Sequence, residues 1–257
     1  METTVDEVAE DIYRISTVDP DAFGTGFTFN QFLIDAEEPL LFSTGFPALF
    51  TRVGEAVDRV LPRRRVRWIS SGHASRSDEF GSLNQWLATA PGAEAAHGER
   101  ACLSFLGTMA DRPPRILTDG EVLDLGGRRV RYLDAPFTQG AWESGFLYEE
   151  TTATLFCGDL LAQAGRVPPI TEEDIVAPAL AFHSQLSFIP VVPSVLESLD
   201  RLGDLHPSML APMHGASYRG DGAAALQALA TGLRQQSDDD TTRGGGHVSV
   251  RGDNDHR

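Results

Sequence analysis

Apolar residues fall in short bursts along this chain, and the spacing within each burst changes with position. Ile12 to Ser16, Thr28 to Ile34 and Leu40 to Phe42 read as short strands between Gly, Asp and Pro punctuation. Leu49, Val53, Ala56, Val57 and Val60 follow helical spacing, so Ala48 to Val60 is a predicted helix that Pro62 ends. Val66 to Ser70 is a predicted strand. Asp78 to Ala88 is a predicted helix with Phe80, Leu83, Trp86 and Leu87 on one face. Glu94 to Ala96 is a short strand. Val122 to Leu125 and Arg129 to Leu133 flank Gly126-Gly127 as a hairpin, and Gly145 to Glu149 with Thr154 to Cys157 forms another. Helices close the pattern at Val195 to Leu202, with Ser194 placed as its N-cap, and at Gly222 to Leu233. Strand runs punctuated by helices in both halves predict a layered α/β domain, with helices outside two packed sheets.

The chain has 257 residues, enough for a sizeable core. The domain is expected over about residues 5 to 234, followed by a disordered acidic, Gly-rich tail at 235–257 with the solvated His247 and His256. Acidic residues outnumber basic ones 37 to 21, for a formal charge of −16. That balance argues against nucleic-acid partners and against docking on anionic membranes. Every basic residue is an arginine, which removes lysine Schiff bases and P-loop lysines from consideration. Two cysteines, Cys102 and Cys157, form no disulfide framework; both read as buried thiols. The acidic start METTVDEVAEDIYRIS has no apolar core of a signal peptide, and a cytoplasmic location is expected.

Three loops that follow strands carry metal-binding side-chain types. The first is Ser70-Ser71-Gly72-His73-Ala74-Ser75-Arg76-Ser77-Asp78-Glu79, the second Cys157-Gly158-Asp159, and the third Ala211-Pro212-Met213-His214-Gly215. In this setting the chain resembles the metallo-β-lactamase superfamily, and within it the oxygen-binding diiron, flavodiiron-like branch. The resemblance covers about residues 8 to 234. It rests on NQFLIDAEEPLLFSTG, WISSGHASRSDEFGSLNQWL, HGERACLSFL, DRPPRILTDGEVLDLGGRRVRYLDAP, ETTATLFCGDL and MHGASYRGDG taken together. It implies a four-layer αββα sandwich with a metal site at one edge, and homodimers are common in that branch.

The branch holds two metals with a His-x-Glu-x-Asp motif, a further His, a bridging Asp and a final His. By resemblance, Asp78, Asp159 and His214 keep their places, Asp159 being the bridge. The middle His is lost, with Gly140 standing where it belongs. Counting along the first motif finds no Glu, and His73 is displaced by one residue. At most one iron or zinc ion is then expected, on Asp78, Asp159 and His214 with His73 as a fourth ligand. Such a site would act on a small organic molecule by oxidoreductase-type or metal-hydroxide chemistry. Two alternatives remain at this stage. In one, no metal binds, Arg76 fills the vacated position against Asp78 or Asp159, and His73 or His214 is the general base. In the other, the chain is a non-catalytic relative that binds a ligand or partner. Trp142, Phe137, Phe182 and Phe188 read as ordinary core residues or as the wall of an apolar substrate pocket.

Overall fold

In the computed structural model, which describes residues 1–244, fourteen strands form two seven-stranded sheets. The first sheet runs in order β1 (Glu2–Ala9), β2 (Ile12–Asp19), β3 (Phe27–Ile34), β4 (Leu40–Phe42), β5 (Trp68–Ser70), β6 (Glu94–Gly98), β7 (Arg115–Leu117). The second sheet holds β8 (Val122–Asp124), β9 (Arg129–Asp134), β10 (Gly145–Glu149), β11 (Thr154–Gly158), β12 (Ile170–Thr171), β13 (Met209–Pro212) and β14 (Ser217–Arg219). Its spatial order is β12-β14-β13-β11-β10-β9-β8.

The period-2 alternation of each strand divides its side chains between two cores. On β3, Phe32 and Ile34 enter the space between the sheets, where they meet Phe42, Val130, Leu147, Phe156 and Ala211. Leu33, between them, points outward to a second core under α1 (Phe50–Val57) and α2 (Leu83–Thr89). A third core covers the outside of the second sheet. There α5 (Val176–Leu186), α6 (Pro193–Gly203) and α7 (Gly222–Gly244) bury Val195, Leu199, Leu226 and Leu229 against Phe146 and Leu155. Helices, sheet, sheet and helices stack in that order, which is the αββα sandwich expected. Between α2 and α5, a short helical stretch runs from α3 (Glu99–Ala101) through a π turn at Cys102–Leu106 into α4 (Gly107–Met109).

Several local expectations shift. α2 begins at Leu83 rather than Asp78, because residues 78–82 form turns that aim Asp78 and Glu79 away from the helix axis. α6 begins at Pro193 with Val192 at its N-cap, so Ser194 lies inside the first turn and is not the cap. Proline suits that first helical position because its missing N–H would have no partner there anyway. β1, β7, β12, β14, α3, α4 and α5 lie outside the predicted elements. α7 continues past Arg234 to Gly244, and the rest of the predicted tail, with His247 and His256, lies outside the described residues. No helix among the described residues is long and apolar enough to cross a membrane. Cys102 and Cys157 are buried free thiols, as expected.

Candidate functional site

β5, β11 and β13 run alongside parallel neighbours, and the loops leaving their C-terminal ends meet at one edge of the sandwich. The loop after β5 delivers His73, Asp78 and Glu79, the turn after β11 delivers Asp159, and the turn after β13 delivers His214. Asp159 stands in the middle. Its Oδ2 lies 3.1 Å from His73 Nε2, and its Oδ1 lies 3.3 Å from His214 Nε2. Each imidazole also meets a second carboxylate: His73 Nε2 is 2.9 Å from Glu79 Oε1, and His214 Nε2 is 3.3 Å from Asp78 Oδ2. His73, Glu79 and Asp159 thus bring one ligand atom each to within 4.8 Å of one another, close enough to share an ion.

The backbone dictates much of this. His214 Nδ1–H donates to the carbonyl of Thr28 at 2.7 Å, which fixes the ring and leaves Nε2 facing the cluster. The Thr28 hydroxyl accepts from the N–H of Gly215 at 2.7 Å, and Asn30 Nδ2 donates to the carbonyls of Pro212 and Gly215. β3 of one sheet therefore grips the His214 turn of the other. Phe27 stacks on the His214 ring with centroids 4.3 Å apart and planes 25° from parallel.

Gln139 ties the remaining loops together. Its Oε1 accepts from the N–H of Asp159 at 3.0 Å, and its Nε2 donates to the carbonyls of Gly72 and Gly145 at 3.2 and 2.9 Å. That amide sits so close to β11 that a Cβ at Gly158, where φ is +51°, would come within 1.8 Å of Oε1. Glycine is therefore required there. Gly140 has φ +82°, and a Cβ on it would meet the carbonyl oxygen of Phe188 at 2.6 Å. No imidazole fits at that position, so the ligand missing from the sequence pattern is also missing from the geometry.

Electrostatics follow from three carboxylates beside two imidazoles. Burial opposes a charge on His73, yet the neighbouring Glu79 and Asp159 overcome it and push its pKa up to about 11. His214 is likewise raised, to about 10, by Asp159 and Asp78 against the opposing effect of burial. Burial pushes Glu79 up to about 7, with Asp159 adding to the effect. Asp159 and Asp78 are held below the usual carboxylate range, because hydrogen bonds from the imidazoles outweigh burial. Within the cluster, Glu79 Oε2 is buried without a hydrogen-bond donor, and Asp159 Oδ1 has only the 3.3 Å approach of His214 Nε2.

Two expectations change here. Arg76 does not fill the vacated position. It is exposed, borders a separate depression with Phe80, Leu83 and Met109, and pairs with neither Asp78 nor Asp159 among the described residues. The turns of the 73–79 loop leave positions 76 and 77 exposed while 73, 78 and 79 turn in. Conversely, motif counting places the glutamate two residues before Asp78, where the chain has Arg76, and so leaves Glu79 outside the ligand set. The structure brings in the carboxylate one residue after Asp78 instead.

A family model for the ODP family beta lactamase matches residues 27–215, most of the sandwich and all of the cluster. The chain belongs to this family. Coenzyme F420H(2) oxidase of Methanothermobacter thermautotrophicus is 26% identical over 238 residues, 84% of this chain and 58% of that protein. Putative diflavin flavoprotein A 1 of Thermosynechococcus vestitus is 27% identical over 205 residues, 77% of this chain and 35% of its own length. The chain thus spans less than two thirds of these curated relatives. Among solved structures, a fragment of putative diflavin flavoprotein A 5 from Nostoc sp. PCC 7120 superposes with TM-score 0.80 at 18% identity, covering 93% of this chain and 98% of the fragment. Rubredoxin oxygen:oxidoreductase from Desulfovibrio gigas gives TM-score 0.79 at 16% identity, covering 89% and 61%. At those identities the likeness concerns the fold.

Proposed function

We propose that this chain is a metallo-β-lactamase-fold oxidoreductase whose iron centre is built on Asp159, with His73 and Glu79 on one side and Asp78 and His214 on the other. The observation that carries the reading is the sharing of one carboxylate between two His–carboxylate pairs. The donor set suits the group: imidazole nitrogens and carboxylate oxygens are ordinary iron ligands. Glu79 Oε2 fits it too, since a buried carboxylate oxygen without a donor is costly unless a cation answers it. The relatives named as an oxidase and an oxygen:oxidoreductase point to the same chemistry. Compared with a single ion on Asp78, Asp159 and His214 with His73 as a fourth ligand, this reading adds a glutamate, Glu79, and room for a second ion.

When bound, iron supplies redox change and Lewis acidity. The chain's own residues orient and enclose the centre. Thr28 holds the His214 tautomer, and Gln139 holds the backbone of Asp159. Phe27 shields the His214 ring from water. Without Arg76 nearby and with two histidines committed to the cluster, the metal-free acid–base alternative has less to support it.

Iron content after anaerobic reconstitution tests the proposal. Wild type should hold about two equivalents, Glu79→Gln or His73→Ala about one, and Asp159→Ala close to none. Oxygen uptake with photoreduced flavin as electron donor should disappear with Asp159→Ala. A wild-type protein that takes up neither iron nor zinc refutes the reading.

A further inference from the structure

Above the cluster lies a cavity of about 520 Å³, within the range that receives small organic ligands. Its floor is His73, Asp159, His214 and Gln139. Its walls are Phe23, Phe27, Phe182, Phe188, Leu186 and the small residues Gly140, Ala141 and Ala162. We propose that this cavity binds an aromatic compound of the phenol class, its rings among the phenylalanines and its oxygen toward the His73–Asp159–His214 floor. The oxygen's partner rests on the metal reading above; the aromatic recognition does not.

Three observations support the assignment. The walls form a continuous aromatic set. Phe23 lies 4.9 Å from Phe27 and 5.2 Å from Phe182, and Phe182 continues to Phe188 at 6.5 Å. Such edges and faces favour an aromatic guest over a saturated one of equal size. The second observation is strain without core burial. Phe23 has φ +51°, a region bulky residues avoid, yet 53% of its surface is exposed at the cavity mouth. Leu186 is 50% exposed on the same rim. Strained backbone that presents apolar side chains to solvent gains little for the fold, and such conformations cluster at ligand sites. The third is the small size of Gly140 and Ala141, which leaves that side of the cavity wall without a bulky or charged side chain. Among the lining residues there is no arginine, and the chain has no lysine. A phosphate or other permanently charged tail therefore finds no cationic partner in the walls.

Isothermal titration calorimetry of the iron-reconstituted protein tests this with 2-naphthol, decahydro-2-naphthol and 2-naphthyl phosphate. We expect 2-naphthol to bind at least about fivefold more tightly than either comparison compound. Phe23→Ala, at an exposed site, should weaken 2-naphthol about fivefold. Ala141→Phe, which fills the half-open wall, should weaken it about tenfold or more. Equal binding of the saturated or phosphorylated compound, or unchanged binding in both variants, overturns the proposal. Metal content of the same samples keeps the two readings apart. Protein that holds iron but ignores 2-naphthol refutes the cavity assignment alone. Protein that binds 2-naphthol in a Phe23-dependent way yet takes up no metal refutes the metal reading and upholds the aromatic site.

Discussion

Gln139 carries no charge and ligates nothing, yet its removal should damage both the fold and the centre. Truncation to alanine deletes three hydrogen bonds inside a buried amide pocket. The Gly72 carbonyl keeps a donor, the N–H of Gly145 at 2.9 Å. The Asp159 N–H and the Gly145 carbonyl lose the partners that Gln139 supplied. A buried polar group left unpaired costs roughly 1–3 kcal/mol. Two such groups beside a cavity that admits water place the loss at roughly 2–4 kcal/mol. For a chain of this size, that is a fall in Tm on the order of 5–15 °C. Because Asp159 is held at its backbone by Gln139, iron affinity should fall by about 10–100-fold, the usual effect of losing a group that orients a ligand. Gln139→Met keeps the volume and removes the hydrogen bonds, so it separates polar from packing effects. Urea denaturation gives the stability change, and competition with a chelator gives the affinity. Wild-type stability and affinity in Gln139→Met would refute the argument that these hydrogen bonds hold the site.

Further expectations come from other residues. Restoring an imidazole with Gly140→His should cost about 3 kcal/mol or more, through the contact with the Phe188 carbonyl and the left-handed φ, and should not raise iron affinity; tighter iron binding would contradict the geometry. Arg76→Ala should change stability by less than about 0.5 kcal/mol and leave metal content as it is, since the side chain is exposed and unpaired with the cluster; loss of iron would return Arg76 to the site. Burial, helped by the nearby His73, pushes the pKa of His97 down to about 4, whereas the unfolded chain titrates near 6.5. The sign follows from the proton count: the unfolded state takes up a proton that the fold refuses, so this contribution is intact above about pH 6.5 and is lost as pH falls toward 4. The loss approaches roughly 3 kcal/mol, and the urea midpoint of metal-free His97→Asn should fall less steeply with acid than that of wild type over that window; parallel slopes would count against it.

The layered fold was legible because its signals are local and repeated. The 122–133 and 145–157 hairpins carry their turns in sequence, and β3 alternates cleanly between two cores. What escaped notice lacked such a signal. β1 is an edge strand whose acidic positions blunt its hydrophobic pattern, a device that also protects an exposed edge. α5 is rich in alanine and carries Pro178 in its first turn, so it shows little amphipathic contrast against its surroundings.

The site divides along the same line. Asp159 and His214 sit on short turns immediately after buried strands, where the strand end fixes the direction of the side chain. Spacing there translates directly into position. The 71–82 loop is different: it leaves β5, turns through Asp78 and packs Gly81 so tightly that a Cβ would meet the Ser77 carbonyl at 1.8 Å. Within such a turn no fixed period relates sequence spacing to facing: Arg76 and Ser77 are exposed, while the neighbours Asp78 and Glu79 both turn in. Arg76 therefore points away from a position that counting assigned to it, and Glu79 points into one that counting left empty. The Gln139 clamp was hidden for a related reason, since its partners Gly72, Gly145 and Asp159 come from separate loops and converge only in three dimensions. On the proposed reading, the loss of motif residues therefore overstates the loss of ligands, because Glu79 supplies a carboxylate that counting does not find. Charge bears on the proposal in the same way: Asp78, Glu79 and Asp159 converge on two imidazoles, a set that a bound cation would hold together in place of the two ring protons.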